Sequence, residues 1–263
     1  MIQRLAIKLG RPPSLVGSAL ALGCAGAVVL GVLLGMAAFG GAGRSTADRT
    51  ASTSSSLGSA VGGAASDGPH IVVAKSELVV RRAPDAASPV VTQLAPETRL
   101  GSTTVLFKVG QRPGWVEVQL PIRPNGSTGW VAASAVTEKA VSGEIVVDLA
   151  TRKMRIQLGG RTVADTTVGI GSPQNPTPTG KFYVTDRVRP SRPGGPYGAF
   201  ALGLSAHSET LTEFGGGDGQ VGIHGTNDPS SIGRNVTHGC VRVPAAVAEI
   251  LANVPLGTPV VIR

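Results

Sequence analysis

Residues 223–243 read IHGTNDPSSIGRNVTHGCVRV. Apolar runs stand at both ends, and Gly225, Asn227, Asp228, Pro229 and Gly233 supply turn chemistry between them. The stretch therefore predicts a strand ending at His224, a loop that folds back, and a second short strand or turn around Cys240. A loop of this length can return the chain and bring His224 close to Cys240. If the second run is extended, His238 and Cys240 point to the same face, since residues i and i+2 do so in a strand.

A thiol attacks as thiolate, so it needs a base or a positive environment. His224 and His238 are the candidate bases. Gly239 frees the backbone to present N–H groups, as an oxyanion requires. A helix beginning near Pro244 adds a positive N-terminal end. Two other readings fit the same residues. His224, His238 and Cys240 match the three protein ligands of a catalytic zinc. Alternatively, Cys240 is an inert buried thiol and both histidines are turn residues. The chain has no S-x-x-K, G-x-S-x-G or H-E-x-x-H signature.

Outward from this stretch, residues 143–171 (GEIVVDLATRKMRIQLGGRTVADTTVGIG) read as strand, turn, strand, turn, strand, with Gly159-Gly160 as a hairpin signal. A Pro-rich loop leads into a strand over Lys181–Thr185. Residues 186–220 read as a long Gly/Pro-rich excursion, the composition of a lid or binding loop. PAAVAEILANV (244–254) predicts one helix with Pro at its start, and TPVVIR (258–263) a last strand.

Residues 70–139 hold several short runs punctuated by Gly and Pro, including LVVRRAPD, GWVEV and GWVAASAV, which predict a small barrel. Trp115 and Trp130 either fill its core or stack on a ligand. With aromatic residues at 3% of the chain, the cores must be built from Val, Leu, Ile and Ala.

Leu15–Phe39 carries no charged side chain and is long enough to span a bilayer, which takes about 20 apolar residues. Arg4, Lys8 and Arg11 precede it. That polarity predicts a cytoplasmic segment 1–14, an uncleaved anchor over 15–39 and everything after it outside the membrane. Release after signal cleavage is the alternative, since MAAFGGAG offers small residues. Residues 40–69 are Gly, Ser, Ala and Thr without periodicity and read as a flexible linker. The net charge of +8 is spread along the chain, with no basic stripe for a nucleic acid. Outside the anchor, Cys240 is a single cysteine in an exported chain. That excludes an internal disulfide and raises the prospect of a reactive thiol.

Taken together, IHGT, THGCVRV and TPTGKFYV (177–184) resemble the signature of the L,D-transpeptidase (YkuD-like) catalytic domain over residues 143–263. The run over 70–139 resembles a bacterial SH3-like domain, a type that often contacts wall peptides. The resemblance implies a mainly β protein: an anchor, a small SH3-like β-barrel, and a β-sandwich-like catalytic domain with one helix after the nucleophile. It implies that Cys240 is the nucleophile and His224 the general acid/base, with the Gly225 carbonyl orienting the imidazole. His238 and Gly239 flank the nucleophile, and the backbone N–H groups of Gly239 and Cys240 bind the oxyanion. Thr237, Arg242 and Tyr197 face substrate, and the segment from Tyr197 to Gly219 closes over the acyl-enzyme. The implied reaction releases the terminal D-Ala of a peptidoglycan tetrapeptide stem through a thioester and forms a 3→3 cross-link. L,D-carboxypeptidase activity with water as acceptor, or a non-catalytic wall-binding role, are the alternatives. The implied partners are stem peptides and carbapenem-type inhibitors. No metal or organic cofactor is implied, and the implied location is the outer face of a bacterial plasma membrane.

Overall fold

The computed structural model describes residues 68–192 and 194–263. The basic segment 1–14, the apolar span 15–39 and the linker up to residue 67 lie outside the described residues. Among the described residues, no helix is long and apolar enough to cross a membrane.

The first half of the described chain is one antiparallel sheet. Its strands are β1 (His70–Ala74), β2 (Leu78–Arg81), β3 (Val90–Leu94), β4 (Val105–Arg112), β5 (Trp115–Gln119), β6 (Thr128–Ala132) and β7 (Val136–Ala140). They lie in the order β3-β2-β6-β5-β4-β1-β7. Inward positions alternate along β2 and β5, so Leu78, Val80, Val116 and Val118 meet Val72, Leu106 and Val131 in a small aliphatic core. Trp115 and Trp130 are only half-buried and stand outside that core.

The second half is built on β8 (Gly143–Asp148), β9 (Lys153–Leu158), β10 (Arg161–Thr167), β11 (Ile170–Gly171), β12 (Gly180–Val188), β13 (Ala201–His207), β14 (Gln220–His224), β15 (Asn235–Thr237), β16 (Val241–Arg242) and β17 (Pro259–Ile262). One eight-stranded mixed sheet runs β10-β9-β8-β17-β12-β13-β14-β16, and β11 pairs separately with β15. Gly159 and Gly160, at φ +55° and +76°, close the β9–β10 hairpin in the turn their sequence predicts. The single α-helix among the described residues, α1 (Ala245–Leu251), lays Ala248 and Leu251 into the core formed by Ile145, Ile156, Val184, Leu204, Ile223 and Val260.

The excursion expected over 186–220 is not one loop. Residues 201–207 form β13, which lies between β12 and β14 inside the sheet. Leu202, Leu204 and Ala206 enter the main core, while Ser205 and His207 are buried on the opposite face. A strand covered on both faces need not alternate apolar with polar residues, and ALGLSAH hid its extended character for that reason. The strand expected over Lys181–Thr185 is also longer, reaching Val188.

The two halves share a third core. Ile71, Val105 and Val141 pack there against Tyr183, which is fully buried and stacks on Phe107 at a centroid separation of 6.2 Å. Tyr183 Oη donates to the Gln119 carbonyl at 3.1 Å, and Gln119 Nε2 donates to the Lys181 carbonyl at 2.8 Å.

Candidate active site

The parallel pairing of β14 with β16 decides which side chains meet. Ile223 stands opposite Val241, and both are fully buried in the main core. His224 stands opposite Arg242 in the same register. Alternation then puts Gly222, His224, Cys240 and Arg242 on the other face. That face opens onto a cavity of about 880 Å³ lined by Tyr197, His224, Thr237, His238, Cys240 and Arg242, among others. Gly222 has no side chain to fill the space beside the thiol, and its N–H points at Cys240 Sγ at 3.4 Å.

His224 is held by its own neighbour. Its Nδ1 lies 2.6 Å from the Gly225 carbonyl oxygen, an atom that only accepts, so Nδ1 carries the proton and Nε2 keeps its lone pair. The Tyr197 ring meets the imidazole edge-on at 4.9 Å. The Tyr197-Gly198 turn sits tight against this pair, since a Cβ on Gly198 would fall 2.6 Å from Gly225 Cα. Burial pushes the His224 imidazole down to about 4; the Gly225 contact opposes the shift, and nearby Arg242 adds to it. Burial also pushes the Cys240 thiol up, against the Gly222 N–H and the Arg242 charge. At neutral pH, thiol and imidazole are therefore both uncharged.

The turn before the cysteine differs from the extended run expected. β15 ends at Thr237, and Gly239 at φ +112° breaks the strand. His238 consequently does not share a strand with Cys240. It is exposed and stacks on Phe214 at 4.9 Å, at the cavity wall. Thr237 is buried and ties the turn: its hydroxyl accepts from the Gly239 N–H at 3.1 Å and donates to the Cys240 carbonyl at 2.6 Å. The Gly239 N–H, expected as an oxyanion donor, is thus already engaged. Arg242 lines the cavity with its buried Nε unpartnered and Nη1 3.8 Å from Asp228 Oδ2. Among the described residues, no three His, Cys, Asp or Glu side chains cluster to hold a metal ion.

The TPTG turn supports the site from beneath. The Thr177 hydroxyl accepts from the Gly171 N–H at 2.9 Å, and a Cβ on Gly171 would meet the Asn175 carbonyl at 2.4 Å. Other lining residues come from the segment expected to close over the site and from a part of the chain that carried no signal in the sequence. Phe214 and Gly215–Gly217 come from the loop after β13, while Arg99 and Leu100 come from the N-terminal sheet domain.

A thiol and an imidazole with a free Nε2 lone pair on one sheet face, in a cavity walled by two loops, form an arrangement that can pass a thiol proton to the ring and so support nucleophilic chemistry at sulfur. Residues 142–262 match the profile of the L,D-transpeptidase catalytic domain, YkuD. The candidate L,D-transpeptidase YkuD of Bacillus subtilis strain 168 is 37% identical over 120 residues, which are 45% of this chain and 65% of that protein. The chain thus spans a little under two thirds of that relative's length. Among solved structures, a mutant of the Enterococcus faecium L,D-transpeptidase is 26% identical, with 46% of this chain and 50% of that one covered and a TM-score of 0.36. The L,D-transpeptidase LdtMt1 in complex with imipenem is 16% identical, with 61% and 90% covered and a TM-score of 0.40.

Proposed function

We propose that this chain is a peptidoglycan L,D-transpeptidase whose nucleophile is Cys240. The observation that carries the reading is the placement of Cys240 and His224 on one face of β14 and β16, with His224 Nε2 free to take a proton. Its β-sandwich-like catalytic domain presents this pair to the cavity.

The reaction follows from the neutral pair. As Cys240 Sγ attacks the carbonyl preceding the terminal D-Ala of a tetrapeptide stem, the thiol proton passes to His224 Nε2. The imidazolium that forms is held by the Gly225 carbonyl through Nδ1–H. The oxyanion takes the Cys240 N–H, since the Gly239 N–H is engaged with Thr237. Collapse breaks the C–N bond, the imidazolium returns its proton to the leaving D-Ala amine, and a thioester remains. The amine of a neighbouring stem's third residue then attacks the thioester, losing its proton to His224, and the thiol is restored with a 3→3 cross-link made. Arg242, Tyr197 and Thr237 border the substrate's position.

Residues 15–39 are read as the anchor that holds this domain outside the plasma membrane, and the N-terminal sheet as an SH3-like module. Imipenem and related carbapenems should acylate Cys240 as substrate mimics.

The test uses full-length protein with purified disaccharide-tetrapeptide, read by mass spectrometry, with Cys240→Ala as control. Cross-linked dimer and free D-Ala that vanish in the control support the reading. Tripeptide and D-Ala alone make water the acceptor and the chain a carboxypeptidase. No turnover from folded protein leaves a wall-binding role.

A further inference from the structure

The loop that follows β13 is held by the other half of the molecule. Its neck is closed by Ser208, whose N–H donates to the Gly219 carbonyl at 2.9 Å and whose hydroxyl accepts from the Leu211 N–H at 3.1 Å. Into this neck reaches Arg123, from the turn between β5 and β6. Nη1 donates to the Asp218 carbonyl at 2.6 Å, and Nη2 donates to the Ser208 and Leu211 carbonyls, both at 2.9 Å. One guanidinium therefore ties both arms of the loop together. Beside it, Asn125 pairs with the His207 backbone in both directions at 2.8 Å. Further out, Arg99 Nη1 donates to the Gly216 carbonyl at 3.1 Å.

The loop's own sequence is shaped around these contacts. Gly219 is buried at φ +78°, and a Cβ there would lie 2.0 Å from the Leu211 carbonyl and 2.8 Å from Arg123 Nη2. A Cβ on Gly217 would lie 2.9 Å from Arg99 Nη2. The loop tip, in turn, is part of the cavity. Phe214 stacks on His238, two residues before the thiol, and Gly215–Gly217 line the same wall. A continuous set of contacts thus runs from Arg123, through the loop, to the turn that carries Cys240.

We propose that Arg123 and Asn125 are positioning residues for the reactive cavity: the N-terminal sheet domain holds the 208–219 loop in place, so that Phe214 walls the thiol. The domain is on this view a working part of the active site and not only a wall-binding attachment. Three carbonyls converging on one guanidinium tie the two arms of the loop together at little cost in freedom, because the planar donors are already set in a fixed fork. Losing that fork frees both arms at once. The thiol then meets more solvent, and an acyl-enzyme there meets water sooner.

This inference rests on the transpeptidase reading for its second readout, but not for its first. In full-length protein, the rate of Cys240 carbamidomethylation by iodoacetamide is compared among wild type, Arg123→Ala, Arg123→Lys, Phe214→Ala and the Arg123→Ala/Phe214→Ala double variant, with melting curves for each. The expected result is about a tenfold faster reaction in Arg123→Ala and in Phe214→Ala, no further gain in the double variant, and partial rescue by Arg123→Lys. On the disaccharide-tetrapeptide, Arg123→Ala should shift product from dimer to tripeptide and raise KM more than it lowers kcat. Alkylation that is unchanged, or that accelerates only in step with the unfolded fraction, overturns the inference. If alkylation responds while wild type makes no dimer, the positioning role stands and the transpeptidase reading falls.

Discussion

His224 Nδ1 and the carbonyl oxygen of Gly225 are 2.6 Å apart, so the imidazole is oriented by its own backbone and not by a carboxylate. Among the described residues, no carboxylate bonds the imidazole, and burial holds it down to about 4. The acid limb of kcat/KM should therefore fall near pH 4, well below an ordinary histidine's 6.5. The sign follows from the base being competent only when neutral: activity is full above the folded value and lost as pH drops through it. A limb centred near 6.5 would contradict the buried geometry. His224→Gln should cost roughly 10²–10⁴-fold in kcat/KM while sparing the fold.

Thr237 satisfies two backbone groups with one hydroxyl. Thr237→Val keeps the shape and strands both the Gly239 N–H and the Cys240 carbonyl, each at about 1–3 kcal/mol when left buried. Thr237→Ser should stay close to wild type. Thermal denaturation ranks the three proteins, and acylation by imipenem, followed by mass, should rank them in the same order.

Gly198 is at φ +65° in the turn that presses on Gly225. A methyl group there collides with Gly225 Cα and strains the backbone, so Gly198→Ala should displace the imidazole's orienting carbonyl. A shift of about 1 Å in such a group costs on the order of 100-fold. The expected loss is in kcat at near-normal melting temperature; an unaffected kcat would show that the turn yields without moving His224.

Tyr183 is sealed between the two sheets. Tyr183→Phe removes the bond to Gln119 and should cost about 1 kcal/mol. Tyr183→Ala empties the shared core and should cost roughly 3–5 kcal/mol. Calorimetry of wild type should show the two halves melting together; two resolved transitions would mean the shared core is too small to couple them.

The site was legible in the sequence wherever its cause is local. The run from IHGT to THGCVRV contains the end of β14 and all of β16, which place His224 and Cys240, and the glycine at which the chain turns before the cysteine. The Gly159-Gly160 hairpin and the helix after Pro244 were equally plain, being set by turn and helix chemistry a few residues long. What escaped is non-local. β13 looked like loop because both of its faces are covered, and that depends on strands brought from elsewhere. His238 was expected beside Cys240 because the run looked extended; the left-handed Gly239 turns it away toward Phe214. The engagement of the Gly239 N–H by Thr237 is a matter of side-chain geometry that spacing does not encode. Arg99, Leu100 and Arg123 lie in a segment with no catalytic signature, and only the folded arrangement brings the first two to the cavity and the third to the loop that walls it.

Because Arg99 and Leu100 stand in the same cavity as Cys240, the outline a ligand sees is written in two separate stretches of the chain. An inhibitor that bonds the sulfur and also reaches Leu100 would read both stretches. Resistance could then arise in the N-terminal sheet without any change near the warhead, and an excised catalytic domain would misreport such a compound's selectivity.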